Sequence, residues 1–451
     1  MTAVRGGAGR APLRRVATVV LCGLLAVAAV LTAPPGGQDS SALILHRLAT
    51  LDDREVPAYL AAHPGDLLEL LNSVPRQAAA DWPRIPAADR AAVERKVPAL
   101  VGNLDGLPYA VRDRANRRSL TLQLDSARQA ATAHPHDRAV VQQLAAYTAI
   151  QAALHARSTP ARRLVELVPG TLPTAAIAIG DLDRAPSVTW VVPGMGTYTT
   201  DMQLWTLAAQ NIWGAQRDAG APAGHAVIAW IGYATPPVGL DAALGDYARN
   251  GAPELTEAIE GLSALRRADP PAVNVVAHSY GTTMAADALA DTDLGIAAFV
   301  MLGSAGVEDR IASAADLHAD LVAAGEAARD DEAALGRLSR ADPRSPAFGA
   351  RVFSVEGVPG AGLLPVTQHA PILHSPWNDD IASTAWTGVA ASVRQAAFRA
   401  HLAQHGYLDA GTQSLKEVGV LTATTPVATP PSVRGPDPAR HSAYELPRPS
   451  S

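Results

Sequence analysis

The feature that most restricts the fold is a succession of short apolar runs in the second half of the chain. "TAAIAIG" (174–180), "SVTWVVPG" (187–194), "HAVIAWIGY" (225–233), "AVNVVAHS" (272–279) and "IAAFVMLGS" (296–304) each end in glycine or turn residues. They lack strict polar alternation, which suits strands covered on both faces. Helix-compatible stretches such as "GAPELTEAIEGLSALRRA" (251–268) separate them. Strand, helix and strand in succession predict an α/β sheet, mostly parallel and flanked by helices.

Upstream the texture differs. "PGDLLELLNSV" (64–74) and "AADRAAVERKVPALV" (87–101) space apolar residues by three and four, with Pro or Asp near their starts. Residues 35–168 are therefore expected to form an α-helical N-terminal region, followed by an α/β domain over 169–421. Within that domain 357–404 is irregular and then apolar-striped, as in an insertion or lid, and its Leu, Ile and Trp content hints at an apolar acyl group. The Pro-, Ser- and Thr-rich stretch 422–451 has no periodic apolar face and reads as a disordered tail.

The N-terminal segment (1–34) carries Arg5, Arg10, Arg14 and Arg15 and an uncharged run from Val16 to Leu31, and it leads into a Thr32-Ala33-Pro34-Pro35 exit. A positive flank, apolar core and small-residue exit predict a signal peptide or a membrane anchor through 16–33. Export follows from either, to the medium or to the outer face of the cytoplasmic membrane. The single cysteine, Cys22, leaves no internal disulfide framework, and a net charge of -6 gives no basic footprint for nucleic acid.

The chemistry centres on Ala277-His278-Ser279-Tyr280-Gly281. A hydrolytic serine on this kind of sheet needs a sharp strand-to-helix turn that frees Oγ, with small residues two before and two after it so that strand and helix approach closely. Ala277 and Gly281 meet that need, although Ala277 stands where glycine is usual. Ser279 is thus the expected nucleophile. His278 adjoins it, but neighbours on a tight turn point apart, so the base is expected from farther along the chain. Acyl transfer also needs two N–H donors for an oxyanion. The Tyr280 amide is one expected donor, and Met195 or Gly196, in the Gly-rich turn "VVPGMGTYTTD" (191–201), supplies the other. No metal and no cofactor is required. His134 and His136 in "HPHD" lack further ligands nearby in the sequence.

Several stretches, "AAIAIGDLDRAPSVTWVVPGMGT", "VIAWIGYATPP", "VVAHSYGTT" and "FVMLGSAGV", resemble the actinobacterial α/β-hydrolase family catalogued as DUF1023. "VGNLDGLPYAVRDRANRRSL" upstream, and "ADPRSPAFGARVF" and "HGYLDAGTQSL" downstream, extend the resemblance over about Lys96 to Val420. It implies an α/β-hydrolase fold and hydrolase activity without naming a substrate. It also implies Asp331 as the triad acid, with Asp330 as alternative, and His405 as the base, with His374 as rival because it follows "RVFSVEG" more closely. Ser279, Asp331 and His405 keep the Ser, acid, His order of this fold. The expected function is an exported serine hydrolase acting on an ester or related acyl bond of a small-molecule or lipid-like substrate. The alternatives are a non-catalytic envelope scaffold on the same fold and an acyltransferase using the same triad.

Overall fold

The computed structural model describes residues 41–423 apart from short internal stretches at 72, 156–158, 240, 243–244, 338–339, 377–378 and 380–390. The expected signal or anchor (1–34) and nearly all of the expected tail (422–451) lie outside the described residues. No helix among the described residues is long and apolar enough to cross a membrane.

Eight strands form one sheet: β1 (Arg162–Val168), β2 (Thr174–Ile179), β3 (Ser187–Val192), β4 (Ala226–Ile231), β5 (Ala272–His278), β6 (Ile296–Leu302), β7 (Ala319–Gly325) and β8 (Arg351–Phe353). Their order is β1-β2-β4-β3-β5-β6-β7-β8. β2 runs antiparallel to β1 and β4, and every pairing from β4 through β3 to β8 is parallel. The mostly parallel sheet expected from the five apolar runs is what forms, and those runs are β2 to β6. Three strands depart from the expectation. β1 falls within the region read as helical, because Arg162, Arg163 and Glu166 interrupt its apolar pattern. The helical region therefore stops at His155, where its last helix ends. β7 is built largely from Ala and Gly, and β8 has three residues.

Six helices precede the sheet in a separate cluster: α1 (Ser41–Thr50), α2 (Val56–Ala62), α3 (Pro64–Leu71), α4 (Pro75–Asp81), α5 (Ala87–Lys96) and α6 (Pro98–Val101). They share a core of Ile44, Leu48, Leu70, Trp82 and Val93. The long α7 (Tyr109–Ala133) continues from that core onto the sheet, where it pairs with α8 (Arg138–His155). Val111 and Ala115 of α7 lie in the helical core, while Leu120, Leu124 and Ala127 pack with Leu164, Leu167 and Ile177 of the sheet. α9 (Met202–Asp218) and α14 (Gln413–Thr422) cover the same sheet face. α10 (Asp246–Leu265) and α11 (Tyr280–Asp291) cover the other. The strands distribute their side chains with period two: Trp190, Val275 and Phe299 go to one core, and Val191, Val276 and Val300 to the other. Each such fully buried side chain contributes about 1.5–3 kcal/mol.

The stretch "VGNLDGLPYAVRDRANRRSL" has a structural task here. β1 is an edge strand, whose outer N–H and C=O groups would otherwise stand open. The Asn103 amide closes both groups of Leu167, donating to its carbonyl at 2.6 Å and accepting from its N–H at 3.0 Å. Asp113 accepts from the Leu164 N–H at 2.6 Å, Asn116 donates to the Leu164 carbonyl at 3.2 Å, and Arg117 donates to the Arg162 carbonyl at 2.7 Å. Side chains of the α6–α7 segment thus replace a ninth strand.

Candidate active site

The carboxyl ends of the parallel strands gather the site. β5 ends at His278, α11 begins at Tyr280, and Ser279 between them has φ 56° and ψ -130°. It is the only described non-glycine residue with positive φ. Such a backbone costs of order 1–3 kcal/mol and persists only where the surroundings hold it. Here the Ser279 N–H donates to the Leu302 carbonyl at 3.0 Å, while its own carbonyl accepts from the Thr282 N–H and hydroxyl. The tight packing after the serine demands glycine at 281, where a Cβ would lie 2.4 Å from the Pro193 carbonyl oxygen.

Ser279 Oγ lies 2.8 Å from His369 Nε2. His369 Nδ1 lies 2.9 Å from both carboxylate oxygens of Asp330. Asp330 is buried at the N-cap of α12 (Asp331–Gly336), where it also accepts from the Ala333 N–H at 3.0 Å and from the Tyr407 hydroxyl at 2.6 Å. Burial alone would raise its pKa. The bonds from His369, Tyr407 and Ala333 outweigh that and pull it down to about 2, so the carboxylate is ionised at neutral pH. With Asp330 accepting at Nδ1, that nitrogen carries the ring proton and Nε2 presents its lone pair to the serine.

The acid is therefore the alternative, Asp330, in place of Asp331, and the histidine is neither His405 nor His374. Asp331 is the first residue of α12 and its side chain is exposed, because the helix turns it away from the buried N-cap position that Asp330 occupies. His405 does not bond to Ser279. Its backbone binds the loop ahead of His369, accepting at its carbonyl from the Thr367 and Gln368 N–H groups and donating to the Thr367 hydroxyl. His374 is directed to Asp379 at 3.0 Å and the Gln404 carbonyl at 2.6 Å. His369, the residue in place, lies inside the stretch expected to be an insertion or lid. No local pattern marks it, since it sits on irregular backbone whose position is set by distant contacts.

Those contacts come largely from "HGYLD" (405–409). The Tyr407 and Leu408 N–H groups donate to the Ala370 and Pro371 carbonyls at 3.1 and 2.8 Å, and Asp409 accepts from the Leu373 and His374 N–H groups. The two segments approach so closely that a Cβ on Gly406 would meet the Ala370 oxygen at 2.4 Å. This block thus supports the histidine loop and supplies Tyr407 to the acid. From beneath, His278 bonds through Nε2 to the His369 carbonyl at 2.6 Å. Burial and the neighbouring His369 hold the His278 pKa down to about 3, so it is a neutral donor there, turned away from Ser279.

For a developing oxyanion, Tyr280 offers the first N–H of α11, which has no place in the helical ladder. Its phenol is engaged elsewhere, accepting from the Ala248 N–H at 2.9 Å. The Gly196 N–H is already donated to the Pro236 carbonyl at 2.8 Å. Among the described residues the Met195 N–H has no such partner, which leaves Met195 of the two expected donors in that turn. The arrangement can pass a proton from serine to imidazole, with the resulting imidazolium held by an ionised carboxylate.

Residues 169–339 match a family described as "Alpha/beta hydrolase". An uncharacterized protein of Mycobacterium tuberculosis (strain H37Rv), Rv2079, is 29% identical over 286 residues, covering 57% of this chain and 43% of the relative. The chain thus spans less than half the length of the curated relatives it matches. Among solved structures, dienelactone hydrolase from Anabaena variabilis is 13% identical with a TM-score of 0.32, covering 55% of this chain and 100% of that one. An arylesterase is 10% identical with a TM-score of 0.31, covering 66% and 97%. The strand order, the turn after β5 and the family match over 169–339 show that the chain has an α/β-hydrolase fold.

Proposed function

We propose that the protein is a serine hydrolase cleaving an ester or related acyl bond, with Ser279 as nucleophile, His369 as general base and acid, and Asp330 as the orienting carboxylate. The observation that carries this reading is the continuous set of contacts from Ser279 Oγ to His369 at 2.8 Å and on to Asp330 at 2.9 Å. In the proposed reaction Oγ attacks the carbonyl carbon while its proton moves to His369 Nε2. Asp330 stays ionised and stabilises the imidazolium. The Tyr280 and Met195 amides receive the oxyanion. Collapse expels the alcohol, which takes the proton from Nε2 and leaves an acyl group on Ser279. Water, deprotonated by the same nitrogen, then releases the acid and restores the serine.

The match to an alpha/beta hydrolase family supports this class, and the resemblance to the actinobacterial DUF1023 family belongs to the same reading. So does export, which rests on the Arg-flanked apolar run 16–33. The test is labelling of the folded protein with a fluorophosphonate, together with hydrolysis of short-chain aryl esters. Labelling at Ser279, abolished in Ser279→Ala and in His369→Ala, is the expected result. Unlabelled Ser279, or ester hydrolysis undiminished in Ser279→Ala, would refute it.

A further inference from the structure

A second cluster of titratable side chains lies beyond the histidine loop and takes no part in the proposed reaction. It joins His374, at the end of that loop, to Asp379 and to His401 in α13 (Ala391–Leu402). One oxygen, Asp379 Oδ1, lies 3.0 Å from His374 Nδ1 and 2.9 Å from His401 Nε2, and the three ligand-type atoms all fall within 4.8 Å of one another. Ligands about 2.0–2.2 Å from a tetrahedral ion sit about 3.3 Å apart, a spacing this triangle reaches with small adjustment. The side chains are 22%, 35% and 21% exposed, so the cluster is partly withdrawn from water but open to an entering ion.

A further observation points to a ligand. His374 Nε2 lies 2.6 Å from the Gln404 carbonyl, an acceptor, so that nitrogen carries a proton and Nδ1, against Asp379 Oδ1, is the one turned to the cluster. An imidazole whose outer N–H is fixed by a backbone carbonyl is the usual arrangement at metal sites, where the outer bond sets the tautomer.

We propose that His374 Nδ1, Asp379 Oδ1 and His401 Nε2 form a binding site for a divalent first-row transition metal, with zinc as the type ion. Two imidazoles and one carboxylate suit such ions and leave a position for water. The ion would tie α13 to the loop that carries His369, because the backbone of His405, four residues beyond His401, already binds Thr367 and Gln368. Its role is to brace the histidine loop from outside the reacting centre.

The test uses the full-length protein, purified without a polyhistidine tag, stripped with chelator and titrated with zinc chloride by calorimetry and thermal unfolding. One equivalent bound, a Tm that rises with zinc concentration, and the visible absorption of tetrahedral or five-coordinate cobalt in the cobalt-loaded protein are expected. His401→Gln and Asp379→Asn should each abolish the bound equivalent and the Tm rise while leaving the metal-free Tm and circular dichroism close to those of the parent. His136→Gln, in the His134–Asp137 loop, should leave binding intact. No bound equivalent, or binding that persists in His401→Gln and Asp379→Asn, would overturn the site and leave an aspartate shared by two histidine side chains.

Discussion

His278 sits directly before the candidate nucleophile, yet its side chain serves the histidine loop. It is buried, neutral, and donates to the His369 carbonyl, so it acts on the position of the imidazole. Displacement of a reacting group by about 1 Å can cost on the order of a hundredfold in rate. His278→Ala is therefore expected to lower kcat roughly 10- to 100-fold with little change in KM, and His278→Asn, which keeps a donor, to recover part of the loss. Steady-state kinetics on an aryl ester check this, and equal losses in both variants would argue against a donor role. Asp330 gives the pH dependence. Its folded pKa, about 2, lies below the ordinary carboxylate value, so its stabilisation is complete above about pH 4 and is lost as pH falls through 2. Tyr407→Phe removes one of the bonds that depress that pKa and leaves the Ala327 N–H without its hydroxyl acceptor. We expect the variant to lose about 1–3 kcal/mol at neutral pH and to unfold at higher pH than the parent in acid titrations followed by circular dichroism.

Elements differ in how much of their placement their own residues carry. β2 to β6 are legible because burial on both faces demands unbroken apolar runs, and the turn at Ser279 is legible because strand, turn and helix are consecutive. β1 is obscured by Arg162, Arg163 and Glu166, which an edge strand tolerates, and β7 by small residues that pack well without a strong strand preference. At the site, the choice of Asp330 over Asp331 rests on a local rule, since the residue capping α12 accepts from the N–H three positions on. The choice of His369 has no such local sign, and "HGYLD" draws attention to the His405 imidazole when the block acts on the loop through the His405 backbone and through Tyr407, Leu408 and Asp409. The clamp on β1 yields a prediction at this scale. Asn103→Ala strips two bonds from Leu167 and is expected to cost about 2–3 kcal/mol, seen as a lower urea midpoint at unchanged m. A variant as stable as the parent would show that the amide only fills space.

Over the whole molecule, α7 is the piece shared by two cores. Its first half packs among the helices before the sheet and its second half on the sheet itself. Amides of 120–127 are therefore expected to exchange with solvent only as slowly as those of β3 and β5, while those of α1 to α3 exchange sooner, as native-state hydrogen exchange would measure. Equal protection throughout would mean that the helical cluster and the sheet open as one unit. The same clamp that joins α7 to β1 also governs what can approach the sheet from its sides. One margin is sealed by asparagine, aspartate and arginine side chains, and the other ends in a strand of three residues. Among the described residues an extended peptide finds little free sheet backbone to pair with at either margin, which disfavours strand addition there. On the proposed function, the substrate comes in end-on, over the loops that carry Met195, Ser279 and His369.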